Sequence, residues 1–305
     1  MLFDERTKRG GTKVSFEVFP PKGPALKHTF WDTVRRLAGL DPLFFSVTHG
    51  AGGGVRDRTH EVAEQILEIT GVPTAAHMTC IGVTKAEIKD AATAYWDTGI
   101  RHIIALRGDN PVGSDTYIPV RNGYPFAVDL VRALRRIADF EISVAAYPEV
   151  HPEASSPEAD LDNLKRKVDA GATRAITQFF FEPDAFLRFR DRAVASGIKI
   201  PIVPGILPIT GLTQVRRFAV TCGATIPPWL GELYEEFDAD PEMRQLISIN
   251  VVVEQCRALI AEGIREFHFY TLNRPGLTQT ACHLLGLGNS RKQLSASIAR
   301  QFARR

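Results

Sequence analysis

The stretch that decides the fold is KVSFEVFPP, residues 13–21. It alternates as a strand does: Val14, Phe16 and Val18 share one face, Ser15, Glu17 and Phe19 the other. Two prolines end it, because neither donates to a sheet ladder. A lone carboxylate between Phe16 and Val18 near the strand's C-terminal end is unusual. On a solvated edge Glu17 is a plain surface residue. On a strand covered on both faces it is desolvated, and its pKa rises. A raised carboxyl is a proton donor near neutral pH.

Outward from this strand, elements alternate. Residues 25–38 read as a helix with Leu26, Phe30, Val34 and Leu37 inward, and 43–48 (LFFSVT) as a strand buried on both faces. A glycine-rich loop, 49–54, leads to a helix that Asp57 can cap, with Val62, Ile66 and Ile69 on its apolar stripe. Strand 74–79, helix 84–97, strand 101–107 and helix 126–138 follow, the last after a long loop to about residue 125. Then come strand 142–147, helix 159–170, strand 174–180, helix 183–195 and a short strand 200–203. A short helix 213–220, an irregular stretch 227–240, a helix 242–262, a strand 265–271 and a helix 277–285 complete the series. Eight βα units without a compositional break argue for one closed (β/α)₈ TIM barrel over residues 1–287, with a basic tail, 288–305, that can form one more helix.

The bulk numbers fit an ordinary soluble globular protein. The chain has 305 residues and a net charge of +2, which gives no general case for nucleic acid or membrane binding. No apolar run approaches the ~20 residues of a membrane span. The start, MLFDERTKRGG, lacks an apolar signal core, so a cytoplasmic location is expected. Four scattered cysteines read as reduced thiols. The loop HGAGGG departs from a dinucleotide fingerprint, since Val55 stands where the last glycine belongs. His77, His151, His268 and His283 are too dispersed for a zinc motif, and no metal is expected.

Barrel active sites lie where the strands end. Polar residues collect there: Glu17; Thr48 and His49; His77 and Thr79; Arg107 and Asp109; Tyr147, Glu149 and His151; Gln178; Tyr270, Asn273 and Arg274. Each alone has a plain alternative as a core histidine, a turn or a strand end, but together they mark one mouth. Asp160 and Lys167, seven apart, lie on one face of a helix that starts at this end. They suit a ribose hydroxyl and a phosphate, or else form a solvated charged face.

The motifs SFEVFPP, FFSVTHGAGGGVRDRTH, AHMTC, HIIALRGDNP, SVAAYPEVHPEA, DLDNLKRKVDAGATRAITQFFF, PIVPGILPI and FHFYTLNRP, in this order, resemble the bacterial methylenetetrahydrofolate reductase family across about residues 13–287. The resemblance implies an FAD-binding barrel that reduces 5,10-methylenetetrahydrofolate to 5-methyltetrahydrofolate with NADH or NADPH, and that can run in reverse. It implies that Glu17 is the general acid and that Asp109 binds the pterin and tunes the flavin. Thr48, His77, Arg107, Gly108, Ala127, Tyr147, His151, Asp160 and Lys167 match FAD contacts. Gln178, Gln214, Phe218, Tyr270, Leu272 and Arg274 match positions that receive folate or nicotinamide. It further implies a homo-oligomer in one-carbon metabolism and methionine biosynthesis. The segment 111–124 is longer than in well-known members, and Phe126 stands where some have tyrosine. The S-adenosylmethionine-binding domain of eukaryotic members has no counterpart here, so no such feedback is expected. Two competing readings remain, a flavin-free reductase and a folate-binding protein without catalysis. Retention of both Glu17 and Asp109 weighs against the second.

Overall fold

The structure, a computed structural model, describes residues 11–49, 56–109, 117–209, 211–237 and 239–287. Expectations for the glycine loop at 50–54, the Asp57 cap, the turn at 110–111, the first part of segment 111–124 and the tail 288–305 fall outside the described residues or side chains.

Eight strands pair in parallel, each with the next, and the last closes on the first. They are β1 (Lys13–Val18), β2 (Phe45–Val47), β3 (Thr74–Thr79), β4 (His102–Leu106), β5 (Glu141–Ala146), β6 (Arg174–Phe179), β7 (Ile202–Ile206) and β8 (Glu266–Tyr270). Between and after them run α1 (Pro24–Ala38), α2 (Arg56–Thr70), α3 (Lys85–Asp97), α4 (Ala127–Ile137), α5 (Pro157–Asp169), α6 (Pro183–Ala195), α7 (Leu212–Cys222), α8 (Pro228–Glu236), α9 (Pro241–Ala261) and α10 (Pro275–Leu285). The chain is a (β/α)₈ barrel with two additional helices between β7 and β8. No described helix is long and apolar enough to cross a membrane.

The alternation read from β1 is what closes the core. Val14, Phe16 and Val18 are buried in the layer between strands and helices, and the Phe16 ring lies 6.0 Å from Phe45 and 6.1 Å from Phe269. Ser15 and Glu17 therefore point inward. The strand register sets Ser15 beside His268 and Glu17 beside Ser46 and Tyr270. Lower in the barrel the interior is polar but paired: His268 Nδ1 lies 2.8 Å from Ser15 Oγ, His102 Nε2 lies 2.7 Å from Ser143 Oγ, and Arg174 pairs with Glu266.

Several sequence expectations need correction. Leu26 and Ile69 are exposed; the buried residues of α1 are Phe30, Thr33, Val34 and Leu37, one to three turns further along. Strand β7 runs later than residues 200–203, because Pro204 and Gly205 sit inside it. A side chain at Gly205 would strike Thr177 O and lie 2.6 Å from the Tyr270 ring, so only glycine lets Tyr270 cross this strand. The stretch read as irregular contains helix α8, which Pro228 starts at its first position, where no N–H is missed.

Candidate active site

A cavity of about 1500 Å³ opens at the C-terminal ends of the strands. Its wall includes Glu17, Thr48, His77, Arg107, Gly108, Asp109, Ala127, Tyr147, His151, Asp160, Lys167, Gln178, Phe218, Tyr270 and Leu272. Two expected site residues do not form the wall. Gln214 lies on α7 one turn before Phe218, and Arg274 is exposed at the N-terminal cap of α10.

Glu17 is held by its backbone neighbours. Thr271 Oγ1 donates to Glu17 O at 2.6 Å. Asn273 accepts from Phe19 N at 2.9 Å and donates to Phe19 O at 2.8 Å. The loop after β8 thus clamps the end of β1, with Leu272 and Asn273 both at positive φ. Glu17 is 8% exposed, and burial pushes its carboxyl up to about 8. Its Oε2 lies 3.4 Å from His77 Nε2. That nitrogen is buried without a hydrogen-bond partner. Burial, helped by His49, pulls His77 down to about 3. The close approach is therefore not an ion pair: near neutral pH the acid keeps its proton and the imidazole is neutral.

The polar end of the cavity is built by α5 and the turn before it. Ser156 caps α5, accepting from Ala159 N at 3.1 Å. Asp160 Oδ2 accepts from His151 N at 3.1 Å, and Lys167 Nζ donates to Ala145 O at 2.6 Å. Both side chains are buried, which removes the solvated-face reading of this pair. Burial lowers Lys167 to about 8, against the pull of Asp160. His151 Nδ1 accepts from Glu153 N at 3.0 Å, and the His151 and Tyr147 rings meet edge to face at 4.5 Å.

Arg107 is already engaged. Its guanidinium pairs with Glu153 through two contacts and lies 5.1 Å from the Tyr117 ring. Glu153 was not legible as a partner, since 46 residues separate it from Arg107. Next to it, Gly108 adopts φ +95°, and a side chain there would run into Ile81. Gln178 turns back on the chain, its Oε1 accepting from Phe179 N at 3.0 Å. Phe218 enters the cavity from α7, packed with the Phe179, Leu207 and Leu212 cluster. The wall also holds Cys222 and Ser155, which no sequence pattern marks.

The arrangement combines an acid whose pKa burial raises, a large partly apolar cleft and a buried cation in the last turn of α5. A sequence profile described as "Methylenetetrahydrofolate reductase" matches residues 2–286. The 5,10-methylenetetrahydrofolate reductases of Salmonella typhimurium and Escherichia coli are each 50% identical over 281 residues, 92% of this chain and 92% of theirs. An uncharacterized Clostridium thermocellum protein that binds two copies of 5-methyl-5,6,7,8-tetrahydrofolic acid has the same fold, with a TM-score of 0.63 at 16% identity over 93% of this chain and 98% of that one. On the profile and the two enzymes, the chain belongs to the methylenetetrahydrofolate reductase family.

Proposed function

We propose that the chain reduces 5,10-methylenetetrahydrofolate to 5-methyltetrahydrofolate with NADH or NADPH as donor and FAD held in the barrel mouth, Glu17 acting as general acid. The observation that carries this reading is the buried Glu17, 3.4 Å from His77 at the cavity wall, where burial raises the pKa of the acid and lowers that of the imidazole.

The residues present fit a flavin dinucleotide. The cavity exceeds the usual range for a single small ligand. Its apolar floor, with Ile104, Leu106 and Ile176, suits a planar ring system, and Lys167 is a buried cation that an anionic phosphate would favour. Asp160 and Lys167 would hold the nucleotide end, and Gly108, Asp109, Ala127 and Tyr147 the wall beside it. When bound, FAD would accept hydride from the nicotinamide and return it to the folate carbon.

Glu17 would donate its proton to the amine nitrogen of the folate's methylene bridge. That C–N bond opens, and the carbon becomes an electrophilic iminium on the remaining nitrogen. Burial supplies the proton at neutral pH, since a solvated carboxylate would already have lost it. Gln178 and Asp109 would orient the pterin, and Phe218 and Leu272 would close over it as apolar surface. Donor and folate would share this one wall, so the two half-reactions alternate in a ping-pong sequence that also permits the reverse oxidation of 5-methyltetrahydrofolate.

The test is Glu17→Gln with the half-reactions separated anaerobically. Bleaching of the flavin by NAD(P)H should persist, while reoxidation by folate falls by about 10²–10⁴-fold. Unchanged reoxidation would remove Glu17 from the chemistry.

A further inference from the structure

The turn after β5, Tyr147–Pro148–Glu149–Val150–His151, does more than face the cavity. Val150 adopts φ +79°. For a β-branched side chain this is a costly conformation, kept only where the surroundings over-determine it. Here the residues on either side of Val150 are held by two different elements. His151 is held by α5, through its N–H to Asp160. Glu149 turns the other way, and both of its carboxylate oxygens accept from Thr225 N, at 3.2 and 3.1 Å.

Thr225 follows the C-terminal end of α7, where Gly223 takes a left-handed cap and donates to Ala219 O. A second contact lies beside the first. A side chain at Gly223, at φ +68°, would come within 3.0 Å of Pro152 and 3.3 Å of Val150 O, so the turn packs closely on the helix end where a β-carbon would be strained. Helix α7 carries Phe218 and Cys222 into the cavity wall. Its other packing is against α8 and the strand ends, within the smaller of the two large apolar clusters. The strained turn is thus the bridge between the polar wall on α5 and the apolar wall on α7.

We propose that Glu149 is a positioning residue: it pins the C-terminal end of α7 to the β5–α5 turn, so that the Phe218 wall is registered on the wall that holds Asp160 and Lys167. The proposal deepens the folate reading of this cavity and rests on it for its kinetic arm. Glu149 itself lies outside the cavity wall, so its effect passes through α7.

The experiment compares wild type, Glu149→Gln and Glu149→Ala as purified, flavin-loaded enzyme, by amide hydrogen exchange and steady-state kinetics. In Glu149→Ala, exchange at residues 219–225 should quicken while that of α5 does not. Flavin content should stay at the wild-type level, and the folate KM should rise by about tenfold with a smaller change in kcat. Glu149→Gln keeps one acceptor oxygen and should fall between the two. Unchanged exchange in α7 overturns the proposal, as does flavin loss without a change in α7. Should Glu149→Ala fail to fold, Thr225→Pro deletes the donor instead and must give the same pattern; wild-type exchange and KM in that variant would also overturn it. Absence of folate turnover in the wild type would defeat the functional reading, and the exchange comparison would still decide the clasp.

Discussion

Glu17 Oε2 and His77 Nε2 face each other at 3.4 Å from neighbouring parts of the barrel mouth, and both are uncharged near neutral pH. A carboxylate facing an imidazolium would be the ordinary outcome in water. Burial reverses it on both sides, because each charged form loses its hydration and the pair gains too little to replace it. The result is two uncharged polar groups 3.4 Å apart, with His77 Nε2 left without a hydrogen-bond partner.

The first prediction concerns His77. With its ring held near a pKa of about 3, it should not titrate across the physiological range. Nitrogen NMR of histidine-labelled protein should show, among the rings that stay neutral between about pH 5 and 7, one that disappears in His77→Gln. A midpoint near 6 to 7 would mean that the ring carries charge beside Glu17.

The second follows from linkage. Glu17 has a folded pKa of about 8 against a reference of 4.5. Its contribution to stability is whole below the lower value and is lost as pH rises through the upper one. His77 and His268, each near 3 when folded, act in the opposite direction up to their reference of 6.5. Between about 6.5 and 8, Glu17 is free of that offset. Unfolding free energy should fall there by up to about 1.4 kcal/mol per pH unit, and Glu17→Gln should remove this fall. Equal slopes in denaturant titrations of the two proteins would contradict it.

Gly108 offers a backbone test. Its φ of +95° and the Ile81 side chain beside it leave no room for a β-carbon. Gly108→Ala should lower stability by about 1–3 kcal/mol, read as a fall in thermal midpoint. An unchanged midpoint would show that the turn after β4 relaxes freely.

At the polar end, Lys167→Met keeps the length of the side chain and removes its charge. The fold should survive, since Lys167 makes one hydrogen bond, to Ala145 O, and lies among α5 and β5. Affinity for FAD, titrated by flavin fluorescence, should drop by about 10–100-fold if the ammonium serves a phosphate. Wild-type affinity would place the pyrophosphate elsewhere.

These residues also show what can be read from a chain and what cannot. The inward position of Glu17 follows from alternation, because a strand of period two has only two faces. The helix read at 84–97 is present, and a capping box that Glu87 completes fixes its start at Thr84. By contrast, Pro204 and Gly205 resemble a strand end, and only the Tyr270 ring lying across them explains why they belong inside β7. Glu153 against Arg107 and Glu149 against Thr225 are pairings across long stretches of chain, set by how the elements pack. No local pattern marks either one. Gln214 and Arg274 stand near the mouth in sequence, yet they lie outside its wall, because helix rotation and a cap position decide where a side chain points.

The most direct measurement of the central claim is the pH dependence of the folate half-reaction, followed by anaerobic rapid mixing of reduced enzyme with 5,10-methylenetetrahydrofolate. The rate constant should hold level at low pH and decline about tenfold per unit above an inflection at about 8, where Glu17 loses its proton. The nicotinamide half-reaction should lack this inflection. A folate rate that stays level through this range, or an identical inflection in both half-reactions, would contradict the assignment of Glu17 as the proton donor.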